Sequence, residues 1–210
     1  MIDISIIGTG GLAKEIIDHI EHINNVEERF TIVNFFVEPA YYKQDSFMGL
    51  PVYKLEKEGE KNLSKNIVCA VGDGKRRLEM SIELEKKGFH FPQVVHPSAI
   101  VGKKVTIHEG VIIGPYVSIT GDAIIGKHVI IVGFCGIGHD TSIGDGSILA
   151  THIGIGGGCK IGRGTSWGNN SSILPDKTVG DFARIGAGSV CLRNIKENKS
   201  VFGNPAQEMN

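Results

Sequence analysis

The sequence predicts two domains of different class: an N-terminal α/β domain with a short, doubly wound, Rossmann-like sheet, then an all-β domain built as a parallel β-helix. Two observations carry this. The first 95 residues alternate apolar strand-like runs with amphipathic stretches, and from Ala99 the chain falls into an unbroken six-residue repeat. A third observation, the 29 glycines, belongs with the second, because many of them recur at one position of that repeat.

In the N-terminal region Ile2 to Ile7 reads as a strand, and Leu12 to Ile23 as a helix with Leu12, Ile16, Ile20 and Ile23 on one face. Phe30 to Val37 is a second strand, Ile67 to Val71 a third, and Lys75 to Lys87 a second helix stopped by Gly88. Strands that alternate with helices form parallel sheets. The segment from Pro39 to Ser64 is polar and has no readable period.

Sixteen hexads run from Ala99 to Asn194 without an insertion. Their third position is apolar in every case, from Val101, Ile107 and Ile113 through Ile185 to Cys191. The first position holds mostly small or β-branched residues. The fourth is glycine in ten hexads, from Gly102 to Gly186, where a chain turning a corner benefits from the absence of a Cβ. A six-residue unit with one large inward side chain cannot bury it alone, so the units must stack. Three faces per turn give an 18-residue coil, and about five coils at roughly 4.8 Å each make a prism roughly 25 Å tall. A β-sandwich would need longer alternating strands with turn clusters every 8–12 residues. Trp167 is large for an inward position and is expected to mark a local distortion or a shift toward the surface. The expected boundaries are 1–95 for the α/β domain, 96–194 for the β-helix and 195–210 for a C-terminal tail.

With 41% hydrophobic and 21% charged residues the chain is that of a soluble globular protein. A net charge of -1 excludes the broad positive field of a nonspecific nucleic-acid binder. No apolar run approaches the ~20 residues of a membrane span. Cys69, Cys135, Cys159 and Cys191 lie far apart without C-x-x-C spacing, and no signal peptide precedes the first strand, so a reducing cytoplasm is the expected location.

Four segments together carry a resemblance: Gly8-Thr9-Gly10-Gly11-Leu12-Ala13-Lys14 after the first strand, Val71-Gly72-Asp73 after the third, Gly138-His139-Asp140 within the hexads, and Gly203-Asn204-Pro205-Ala206 near the end. The set resembles the hexapeptide-repeat acyltransferases, in the branch of sialic-acid O-acetyltransferases and of N-acetyltransferases of nucleotide-linked 4-amino-4,6-dideoxy sugars. The resemblance spans nearly the whole chain. It implies a left-handed β-helix, against the usual right-handed crossover preference, a homotrimer, and acetyl-CoA as cosubstrate with no metal. It also implies N-acetylation of a nucleotide-linked amino sugar in surface glycan synthesis, with O-acetylation of a sialic acid as the alternative.

The chemistry centres on His139, which alone among eight histidines sits at a hexad corner in a glycine-rich stretch beside a carboxylate. An amine attacking a thioester must shed a proton, and imidazole, titrating ordinarily near about pH 6.5, suits that role of general base. Asp140 follows at once. Adjacent strand residues point to opposite faces, so contact between the two requires a corner; the resemblance implies that Asp140 raises the basicity of His139. As a bare surface residue Asp140 would stack above Asp122, eighteen residues earlier, and be repelled by it. Gly157 lies one coil above His139, where a missing side chain leaves room for a thioester and its N–H can stabilise an oxyanion. The resemblance further implies that Ile148, Asn169 and Ala187 line the coenzyme A path between subunits.

The loop at Gly10, Gly11 and Leu12 follows a strand and opens a helix, a setting that favours phosphate. It reads G-x-G-G-x-A, short of the full dinucleotide fingerprint, and the resemblance directs it to a sugar nucleotide. Glu38 ends the second strand, where an acid accepts from a ribose hydroxyl or a base; Gly72 and Asp73 complete the crevice, and Arg76 and Arg77 are expected to cap or solvate the following helix. Two other functions compete. A zinc hydratase on the same kind of β-helix would use His128, His139 and His152, but their gaps of eleven and thirteen do not match a pair five apart plus a third. A noncatalytic nucleotide-binding scaffold would have no use for His139 and Gly157.

Overall fold

In a computed structural model, which describes residues 1–57 and 59–209, the chain forms two compact units, Met1–Pro92 and Gln93–Asn210. The first is a five-stranded sheet of order β3-β4-β2-β1-β5, with β1 Ile2–Ile7, β2 Phe30–Val37, β3 Ser46–Phe47, β4 Leu50–Lys54 and β5 Asn66–Cys69. All neighbours are parallel except the β3/β4 hairpin, which occupies part of the segment that had no readable period. Helix α1, Gly11–Val26, buries Ile16, Ile20 and Ile23 of the expected stripe together with Ala13 and Ile17, whereas Leu12 is only half-buried. Helix α2, Gly74–Lys86, is capped by Asp73, whose carboxylate accepts from the Arg76 N–H at 2.8 Å. Gly88, at φ +83, ends it in the left-handed region.

The second unit is a left-handed parallel β-helix. Its first face stacks two-residue strands at 100–101, 118–119, 136–137, 154–155, 172–173 and 190–191, each paired with the next at an interval of 18 residues. The second face stacks 106–107 through 178–179 in the same way, and the third begins at Val94–Val95, which pair with Ile112 and Ile113. The β-helix therefore starts a few residues before the boundary that the hexads mark. At the other end Arg184 pairs with Ser200 and Val179 bridges Ile195, both 16 apart, so the last coil is two residues shorter. Ser200–Phe202 extends the third face and pairs antiparallel with Gln207–Glu208, which makes the segment after 195 part of the stack.

The inward side chains form one continuous core, from Val111 and Ile113 through Ile131, Ile137 and Leu149 to Cys191 and Val201. Trp167 belongs to it. The expected distortion is absent: Trp167 is 2% exposed and holds register between Leu149 and Ile185. Small first-position residues make room, and its Nε1–H donates to Thr165 Oγ1, which itself donates to Ser147 Oγ.

Each corner carries a residue near φ +55 to +70 at the sixth hexad position, for instance Asp122, His128, Phe134, Asp140 and His152. The fourth-position glycines serve a different need. A Cβ on Gly138 would stand 2.3 Å from the Gly157 nitrogen, so glycine there permits close approach of successive coils. Because Ile131 is fully buried at the centre of the stack, Ile131→Ala should lower the stability of the β-helix by about 2–5 kcal/mol. Denaturant unfolding followed by far-UV circular dichroism measures this, and a loss below about 1 kcal/mol would contradict the packing described.

Candidate active site

His139 and Asp140 lie on the turn from the first face to the second. Asp140 is in the left-handed region, φ 57, and this reverses the alternation that would send the two side chains apart. The His139 Nδ1–H donates to Asp140 Oδ2 at 2.7 Å. A carboxylate only accepts, so a neutral imidazole keeps its proton on Nδ1 and presents the lone pair of Nε2. Asp140 is engaged by the His139 ring, and Asp122, one coil below, lies 4.0 Å from Lys104 Nζ.

Gly157 covers the imidazole from the next coil. A Cβ there would sit 2.7 Å from His139 Nε2 and 2.9 Å from Cε1. The coil is tied down on both sides, by Gly158 N–H to His139 C=O at 2.8 Å and by Asp176 N–H to Gly157 C=O at 2.9 Å. The Gly157 N–H itself takes part in no backbone bond among the described residues. The imidazole is thus exposed, its Nδ1 is held by a carboxylate, and the bare Cα of Gly157 faces its Nε2 side, an arrangement able to accept a proton beside a residue with no side chain.

The residues expected on the coenzyme A path lie elsewhere in the same chain. Asn169 and Ala187 are exposed on the turn from the third face to the first, and Asn169 Oδ1 accepts from the N–H and Oγ1–H of Thr151 at 3.2 Å each. Ile148 is half-buried at the start of the 148–151 strand of the third face. One chain therefore does not bring them to His139; Asn169 and Ala187 occupy the third-to-first corner of the prism, and Ile148 lies on the third face. That corner carries a column the sequence reading missed, Tyr116, Phe134 and His152, eighteen residues apart, with ring centroids 5.0 and 5.1 Å apart. His128 is buried on the remaining corner, so His128, His139 and His152 stand on three corners of one chain. Among the described residues no three His, Cys, Asp or Glu side chains are grouped to hold a metal.

In the N-terminal unit, a crevice of about 890 Å³ opens at the C-terminal ends of β1, β2 and β5 and is lined by Gly10, Glu38 and Asp73. This is where an open α/β sheet holds ligands. Helix α1 begins there at Gly11 with no side-chain cap and no acid in its first turn, so its N–H groups are left for an anion. A Cβ on Gly10 or Gly11 would meet nothing within 4 Å. Gly11 and Leu12 form the first turn of the helix, and Gly72 is exposed on the β5–α2 turn; these three are not in the lining.

Neither arginine behaves as a simple helix cap or solvated side chain. Arg76 reaches across to Glu38, with Nε 2.9 Å from Oε1 and Nη2 on the same oxygen. Arg77 is buried, and its Nη1 donates to the carbonyls of Val71 and Gly72, fixing the β5–α2 turn. Burial pulls the Arg77 guanidinium down to about 10, which leaves it charged at neutral pH. Tyr41, Lys43 and Gln44 also line the crevice, from the segment without a readable period.

Comparison with protein families matches residues 3–84 to the PglD N-terminal domain and residues 104–139 to the bacterial transferase hexapeptide, six repeats. Comparison with curated protein sequences gives no match. Among solved structures the chain is similar to PerB from Caulobacter crescentus, in complex with CoA and GDP-perosamine, with 26% identity, 99% of this chain and 97% of that chain covered, and a TM-score of 0.88. It is similar to the acetyltransferase domain of PglB from Neisseria gonorrhoeae in complex with acetyl coenzyme A, with 23% identity, 99% and 98% covered, and a TM-score of 0.86. WeeI from Acinetobacter baumannii is 20% identical over the full length of both chains, with a TM-score of 0.79. The chain thus joins a segment that matches the PglD N-terminal domain to one that matches bacterial transferase hexapeptide repeats, and over 99% of its length it shares its fold with PerB.

Proposed function

We propose that the protein transfers the acetyl group of acetyl-CoA to the amine of a nucleotide-linked amino sugar, a 4-amino-4,6-dideoxy sugar, in surface glycan synthesis. The observation that carries this is the His139–Asp140 pair beneath Gly157. Support for the substrate class comes from PerB, which at 26% identity holds CoA and GDP-perosamine, and from the anion-ready crevice of the N-terminal unit. The four buried, free cysteines accord with a reducing cytoplasm as the place of reaction.

Acetyl-CoA supplies an activated acyl group as a thioester. Asp140 holds the imidazole in the tautomer whose Nε2 takes the proton that the amine sheds as its nitrogen bonds to the thioester carbonyl carbon. The Gly157 N–H donates to the carbonyl oxygen as it gains negative charge. When the C–S bond breaks, the same Nε2 returns the proton to the departing thiolate. The nucleotide of the acceptor is held by Gly10 and Glu38, with Asp73 holding the second helix in place, so binding and chemistry fall to different domains.

The separation of His139 from Ile148, Asn169 and Ala187 within one chain is the reason for a trimer. A second chain that places its third-to-first corner beside this one's first-to-second corner completes each site, and threefold closure gives three equivalent sites. Light scattering should report three times the 22.6 kDa chain mass; a stable, active monomer would contradict it.

His139→Ala should retain fold and ligand affinities while kcat falls about 10²–10⁴-fold. Asp140→Asn should cost less, because the base remains. A folded His139→Ala protein within about threefold of wild type would overturn the assignment. Gly157→Ala pushes a methyl group into the imidazole, and a displacement on the scale of 1 Å should lower kcat by roughly 10²-fold without unfolding the protein. Gly10→Leu should raise the acceptor KM and leave coenzyme A binding nearly unchanged; equal losses for both ligands would contradict the division between domains.

A further inference from the structure

We propose that Arg76 is a specificity-determining residue of the N-terminal site, a clamp for the diphosphate of the nucleotide that is held in position by Glu38. The proposal rests on the nucleotide reading of that crevice. Sheet order places β1 between β2 and β5. Glu38 follows β2, and Arg76 lies in the first turn of α2, after β5. Their ion pair therefore spans the C-terminal end of β1, where the chain continues into Gly8, Thr9 and Gly10 and then into the uncapped start of α1. A phosphate on those N–H groups lies under the arm of Arg76.

The hydrogen bonding leaves the guanidinium half used. Both Nε and Nη2 donate to the single oxygen Oε1 of Glu38, which fixes the plane of the group. Nη1 makes only a looser ion pair with the exposed Glu79 Oε2 at 3.7 Å, longer than a hydrogen bond. Its N–H groups and the remaining one of Nη2 form the second edge of the fork, the geometry that takes two phosphate oxygens at once. Exposed ion pairs of this kind add little to stability, so the pair is poorly explained as a fold-stabilising contact, and Arg76 and Glu38 both line the crevice.

Charge in the crevice points the same way. Lys43, Lys75 and Arg76 face Glu38, Asp73 and Glu79, so the lining has no net formal charge to offer a diphosphate. Attraction must come from how the cations are aimed, and Arg76 is the one that an acceptor anchors across the loop. Glu38 is thus a positioning residue for Arg76 as well as the acceptor for sugar or base.

The test uses the full-length protein and calorimetry with GDP, UDP and dTDP, plus NMR titration with the corresponding nucleosides. For whichever diphosphate the wild type binds, Arg76→Gln should weaken binding about tenfold to a hundredfold while nucleoside affinity stays within about twofold. Arg76→Lys, which keeps charge but loses the fork, should fall between the two. No loss with Arg76→Gln, or the same loss for nucleoside and diphosphate, overturns the clamp while leaving the nucleotide reading in place. Binding of none of the three diphosphates by the wild type overturns the nucleotide reading, and the clamp falls with it.

Discussion

The backbone ladder that ties each coil of the β-helix to the next sets everything else in that domain. Gly138 N–H reaches Ile155 C=O at 2.9 Å, and Gly158 N–H reaches His139 C=O at 2.8 Å, and bonds of the same spacing recur along the stack. Residues 18 apart are thereby superposed, so a chemical group can be positioned only by what lies one coil above or below. His139 has room for its imidazole because the residue above it is Gly157. Asp140 can pair with it because the corner needs a left-handed residue there. A single residue inserted between His139 and Gly157 would shift every such column and would place Gly156 over the imidazole in place of Gly157.

Much of this was legible in the sequence, because a period of six with an apolar third position has no other economical reading. The period sets the coil length, and the coil length places Gly157 over His139. Trp167 was misread because volume was judged at one position, whereas the space for an indole comes from Thr165, Ser147 and Ala183 around it, all fully buried. The ends of the stack escaped for a related reason. Val94 and Val95 precede the first full hexad, and the last coil drops two residues, so periodicity fails where backbone pairing continues.

The N-terminal site was legible only at its strand ends. Gly10, Glu38 and Asp73 line the crevice at the strand ends, where open α/β sheets hold ligands, and a strand–turn–helix pattern reveals them. Arg76 was hidden because nothing in its local sequence tells a helix-capping arginine from one that crosses the end of β1 to a carboxylate 38 residues earlier. Lys43 and Gln44 lie in a stretch whose turns follow no period. Long-range side-chain pairing and irregular loops are the parts of a site that local patterns do not encode.

The two halves divide the problem in a way their physics favours. In the proposed function, anion recognition falls to helix N–H groups and charged side chains at the open end of a sheet, and acyl transfer to an imidazole, a carboxylate and a glycine on a rigid stack. The most direct measurement of the account is coenzyme A release with acetyl-CoA and a panel of UDP-, dTDP- and GDP-linked 4-amino sugars alongside free sialic acid. It should show release, matched by N-acetylated product, with a nucleotide-linked amino sugar and none with sialic acid. Release with sialic acid alone, or with no member of the panel, would contradict it.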